Sequence, residues 1–160
     1  MHLYSLRPHL RLPLPGGESH RLIKFDREVE NIQDLPHHYT VTAGAEAEGN
    51  VTLKTDGVPQ LITAPPAEFG GPGDQWSPET LLVGSIADCF ILTFRAIARA
   101  SKLEWDKLEC SAEGVLERVE RVTRFTSATV RATLTVPAGT DVAKAEKLLE
   151  KAESACLITN

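Results

Sequence analysis

Residues 76–102, WSPETLLVGSIADCFILTFRAIARASK, constrain this chain more than any other stretch. Ser77 is a good helix N-cap, because its hydroxyl can accept from a first-turn amide. Pro78 suits the first helical position, where a missing N–H costs nothing. Glu79 lies where the helix dipole favours negative charge. From Leu81 to Ala98 the stretch is apolar nearly all round, as a core helix is. At ~1.5 Å per residue the helix would be roughly 35–40 Å long. Asp88, Arg95, Arg99 and the serine and glycine interruptions argue against a membrane span. Cys89 sits mid-helix with Asp88 beside it.

Composition narrows what can surround such a helix. The chain has 160 residues, one domain's worth, and at 42% hydrophobic it can bury a core. A net charge of −5, with lysine and arginine scattered, argues against nucleic acid or an anionic membrane as partner. The first residues lack the apolar core of a signal peptide, and no other stretch reads as a transmembrane helix. Cys89, Cys110 and Cys156 are too widely spaced for a disulfide scaffold or a zinc pattern. A reducing, cytoplasmic setting follows as the expectation, with any disulfide transient and chemical. Neither a metal nor a cofactor is expected.

Residues 1–36, with prolines and two adjacent glycines but no sustained period, read as an N-terminal extension. Within it HRLIKFDREVENIQDL suits a strand or a short helix equally. Residues 37–160 read as the folded domain. Between 38 and 63, YTVTAGAEAEG, VTLKTDG and VPQLIT suggest a small antiparallel meander. APPAEFGGPGDQ is a Pro/Gly loop leading into the long helix, its glycines allowing close backbone approach. After the helix, Leu108, Cys110, Ala112, Gly114 and Leu116 share one face of a half-buried strand. A second strand puts Thr126, Ala128, Val130, Ala132, Leu134 and Val136 on one face. Pro137 and Gly139 stop it, and Thr140 or Asp141 caps a last helix with Ala145, Leu148, Leu149, Ala152 and Cys156 on one side. The closing LIT looks like the start of a further strand. The order β-β-β, long α, β-β, α predicts an α+β fold, helices against antiparallel sheet.

A buried cysteine most often only packs. Cys110, on the apolar face of its strand, fits that role. Cys89 and Cys156 also fit it singly, but both face a shared core from two helices. If they meet, the chemistry that follows is a thiol peroxidase: one thiolate takes oxygen from a peroxide and the second closes a disulfide. The first thiol needs its pKa lowered by a nearby cation. Glu79 or Asp88 would orient such a cation, although each is also an ordinary helix acid.

SPETLLVGSIADCF resembles the signature of the OsmC/Ohr family of osmotically inducible and organic-hydroperoxide-resistance proteins. The family helix begins (S/N)-P-E-x-L-(L/F), with the reactive cysteine ten residues after the glutamate, the spacing of Glu79 and Cys89. EFGGPGDQWSPE resembles the family's approach loop, and LLEKAESACLITN its second-cysteine helix. The match covers about residues 38–160. The resemblance implies an OsmC-like fold in an intertwined homodimer, whose two sites each use residues of both subunits. It implies Cys89 as attacking thiol, Cys156 as resolving thiol and Glu79 as partner of a catalytic arginine. Substrates would be organic hydroperoxides in an apolar pocket lined by Phe90, Phe69 or Trp76, and the reductant a thiol, a lipoylated protein in some members.

The chain also departs from the pattern. Asn50 stands where the family carries its arginine, and no arginine occurs between Arg27 and Arg95. Arg21 and Arg27 are the nearest arginines before that point. Leu157-Ile158-Thr159-Asn160 follows the second cysteine in place of Pro-Tyr-Ser, which points to the general OsmC-like branch. Beside the peroxidase stands a second function, a non-catalytic OsmC-fold protein binding a small apolar ligand. A Cys–His hydrolase is the third, disfavoured because all five histidines lie in the first forty residues.

Overall fold

The structure is a computed structural model that describes residues 34–159, together with the backbone of strands β1 (Ser5–His9) and β2 (Lys24–Glu28). The chain divides into two compact units, Met1–Tyr39 and Thr40–Asn160. In the first, β1 and β2 pair antiparallel, Ser5 opposite Glu28. The segment that suited strand or helix equally therefore holds a strand at Lys24–Glu28. Residues 1–4, 10–23 (Arg21 included) and 29–33 lie outside the described residues.

The second unit opens with the expected meander, β3 (Thr42–Gly44), β4 (Val51–Lys54) and β5 (Leu61–Thr63), antiparallel with β4 central. The Pro/Gly loop then closes on itself: the Ala64 amide donates to the Trp76 carbonyl at 3.0 Å. A Cβ on Gly71 would lie 1.7 Å from the Pro65 carbonyl oxygen, so only glycine fits there. The loop delivers a buried Ser77 to the start of helix α1 (Pro78–Ala100). The Thr80 amide donates to Ser77 Oγ at 3.2 Å and the Ser77 amide donates to Thr80 Oγ1 at 2.8 Å. This is a reciprocal cap built with threonine instead of glutamate.

Strands β6 (Lys107–Val119) and β7 (Val122–Thr135) form a long hairpin. Its tip residues, Glu120 and Arg121, both have positive φ (51° and 69°), as a tight primed turn demands. Helix α2 (Val142–Ser154) follows, capped by Asp141, whose carboxylate accepts from the Lys144 amide at 3.0 Å. Phe90, Phe94 and Ala98 of α1 meet Leu103, Leu108, Ala145 and Ala152 in one core. The Phe94 and Trp105 rings pack edge to face, centroids 5.5 Å apart.

Four expectations need correction. First, α1 is not buried all round within one chain: only Phe90, Phe94 and Ala98 are fully covered, while Leu82 and Leu92 are about half exposed (47% and 50%). Second, its 23 residues are, by length and apolarity alone, enough to cross a membrane, so its charged interruptions do not exclude a span. What marks it as a core helix is the stripe packed on β6 and α2. Third, the register of β6 and β7 shifts between Val115 and Leu116. That bulge sets Leu116 opposite Phe125, turning Phe125 inward, whereas Thr126 is exposed and donates to Glu117. Fourth, LIT forms a turn and no strand, with the Thr159 amide donating to the Cys156 carbonyl at 3.3 Å.

Candidate functional site

Cys89 lies midway along α1, and Cys156 directly follows Ala155, the C-cap of α2. The packing of α2 on α1 sets Cys89 beside Cys156, near enough to lower the Cys156 thiol, although 66 residues separate them in sequence. Both are free thiols. Cys156 is almost wholly enclosed, 2% exposed, whereas Cys89 is only partly buried. Cys89 Sγ also lies 3.9 Å from Thr93 Oγ1, one helical turn on.

The turn after Cys156 completes this environment. Burial pushes the Cys156 thiol up, since charge is poorly solvated there. Hydrogen bonds from Cys89, from the Thr159 side chain and from the backbone of Ile158 and Thr159 outweigh that effect and hold it below the ordinary thiol value. Cys110, with no such partners, is pushed up by burial alone, as a packing cysteine should be.

Glu79 does not join them. It stands nearly three turns before Cys89, ~15 Å along the helix axis. Its Oε2 is shut off from solvent and has no hydrogen-bond partner among the described residues. Glu79 lines a cavity of about 730 Å³ between the start of α1, the Pro66–Phe69 turn and the inner face of the hairpin. Neither cysteine lines it. Of the aromatic residues expected in an apolar pocket, Phe69 does line it, while Phe90 is packed in the core and Trp76 lies outside the lining. Asn50 is exposed at the foot of β4, lining a shallow hollow of the meander with Thr42 and Lys54.

Thr93 and Thr159 are the site residues that sequence reasoning missed. Thr93 was within reach of it, lying four residues after Cys89 on a helix. Thr159 carried no such signal, because LIT has the composition of a strand. Among the described residues no three His, Cys, Asp or Glu side chains gather as metal ligands.

A family model described as OsmC-like protein matches residues 71–160. An uncharacterized protein of Bacillus subtilis (strain 168), YmaD, is 32% identical over 128 residues, covering 77% of this chain and 85% of that protein. Among solved structures, an organic hydroperoxide resistance protein OsmC from Legionella pneumophila is 26% identical, with a TM-score of 0.64 over 79% of this chain and 90% of its own. An OsmC-like protein of unknown function from Vibrio cholerae shares the fold at 17% identity, with a TM-score of 0.71 over 78% of this chain and 93% of its own.

Proposed function

The chain belongs to the OsmC-like protein family, and from that premise we propose that it is a thiol-dependent peroxidase that reduces organic hydroperoxides through Cys89 and Cys156. The observation that carries this reading is that a partly exposed thiol, Cys89, stands beside an enclosed one, Cys156, and lowers it. Exposure decides which attacks: a peroxide reaches Cys89 but not Cys156.

The reaction starts from a Cys156 thiolate, which the hydrogen bonds to that sulfur favour. As peroxide arrives, Cys89 passes its proton to Cys156 and its sulfur attacks the terminal peroxide oxygen. The O–O bond breaks, and the alkoxide leaves as the alcohol with the proton held by Cys156. Cys89 is now a sulfenic acid. The Cys156 thiolate attacks the Cys89 sulfur, an S–S bond forms, and hydroxide leaves as water with a proton from solvent. A dithiol, a lipoylated protein by family resemblance, returns both sulfurs to thiols by exchange.

The rest of the reading follows the family. Glu79 orients the site from a partner subunit, and the bare side of α1 is the surface on which two chains pair. The similarity to the hydroperoxide resistance protein of Legionella pneumophila supports the substrate class. Three free thiols suit a reducing cytoplasm. Asn50, where the family has arginine, favours the alternative of a fold kept for ligand binding. A peroxidase assay separates the two. Cumene hydroperoxide with dithiothreitol should be turned over by the wild type and not by Cys89→Ser. Wild-type protein that is folded and reduced yet inert would leave the binding role.

A further inference from the structure

A thiol peroxidase moves one oxygen atom onto its attacking sulfur and then off it again, so a group that holds that oxygen speeds the chemistry. Thr93 stands where such a group belongs. It lies one helical turn after Cys89 on the same face of α1. Helical side chains lean toward the N-terminus, so Thr93 reaches back over Cys89. Its β-branched side chain has few rotamers, and the next residue, Phe94, is wholly buried, which fixes this turn of the helix. Thr93 itself is half-buried.

Distance decides what its hydroxyl can do. Thr93 Oγ1 lies 3.9 Å from Cys89 Sγ. That is long for a bond to the sulfur itself. It is the right span for one oxygen between them: an atom carried on the sulfur and bent toward Thr93 comes within about 2.7 Å of Oγ1, the usual O–H···O distance. A threonine hydroxyl has one proton to donate, and the oxygen of a peroxide, a sulfenic acid or a departing hydroxide accepts it equally.

We propose that Thr93 is a catalytic residue for the oxygen transfer, its hydroxyl holding the oxygen that Cys89 takes from the peroxide. The role rests on the peroxidase reading. In the first step the Cys89 sulfur bonds the terminal peroxide oxygen and the O–O bond breaks. The organic oxygen leaves as the alcohol, with the proton that Cys89 has passed to Cys156. The terminal oxygen keeps its own proton and becomes the sulfenic acid hydroxyl, accepting from Thr93. In the second step the Cys156 thiolate attacks the Cys89 sulfur, the S–O bond breaks, and hydroxide leaves as water with a proton from solvent. Thr93 donates to that oxygen throughout and keeps its proton.

The test is quenched-flow oxidation of the reduced protein by cumene hydroperoxide, with Cys89 read by mass spectrometry, on wild type, Thr93→Val, Thr93→Ala and Thr93→Ser. Alkylation of Cys89 by iodoacetamide is timed alongside, because it needs the same sulfur but delivers no oxygen. Thr93→Val and Thr93→Ala should slow oxidation about tenfold, roughly the loss of one hydrogen bond to the transition state, and leave alkylation within about twofold. Thr93→Ser should oxidise at close to the wild-type rate. The two hydroxyl-free variants differ in bulk, so a loss common to both reports the hydroxyl, and either one decides the matter if the other fails to fold. Oxidation at the wild-type rate in a hydroxyl-free variant would overturn the proposal, as would equal slowing of oxidation and alkylation, or a Thr93→Ser as slow as Thr93→Ala. A wild type that alkylates but does not oxidise would instead bring down the peroxidase reading, and the role of Thr93 with it.

Discussion

At Cys156, burial and hydrogen bonding pull one thiol in opposite directions, and the hydrogen bonds win. The ordinary cysteine pKa is ~8.5, and the depressed value of Cys156 means that a thiolate forms below it as pH rises. Cys110, raised by burial, ionises above it. A titration followed by thiolate absorbance should therefore show an early step that Cys156→Ser removes and a late one that Cys110→Ser removes. An unchanged early step in Cys156→Ser would contradict the assignment. The apolar side of α2 made the inward placing of Cys156 legible in the sequence. What sequence could not give was its nearness to Cys89, or the turn that brings Thr159 to it, because side-chain meetings between elements depend on packing that no local pattern encodes.

Among the elements, the two helices were the most legible, since their caps, Ser77 and Asp141, are local chemistry. The hairpin was legible except at its bulge. Alternation places Thr126 on the inner face, and one shift after Val115 gives the place to Phe125. A one-residue slip reverses the faces of a strand, and a bulge is such a slip confined to one site. Phe125 then closes on Gly114 and Val83 at the contact between hairpin and α1. Gly114→Ala should push these apart and cost about 1–3 kcal/mol, as overpacking does. Chemical denaturation would read this as a lower midpoint with an unchanged slope; an unchanged midpoint would show that the contact has slack.

For the whole molecule, the bare side of α1 is the main fact. A helix this apolar, half exposed at Leu82 and Leu92, is incompletely covered by one chain. Sedimentation equilibrium should find two chains per particle, and Leu92→Glu should shift the balance to one; a wild-type monomer at micromolar concentration would contradict the paired arrangement. Sequence hinted at this through a helix apolar on every side, but the same pattern also suits a buried or membrane-embedded helix. Only the packed stripe of Phe90, Phe94 and Ala98 distinguishes them. The central claim, that Cys89 and Cys156 work as one redox pair, is tested most directly by adding one equivalent of cumene hydroperoxide to reduced protein and mapping its sulfurs by mass spectrometry. The account predicts a Cys89–Cys156 disulfide in the wild type, a sulfenic acid held at Cys89 in Cys156→Ser, and an untouched Cys110. Reduced Cys89 and Cys156 after that treatment would contradict it.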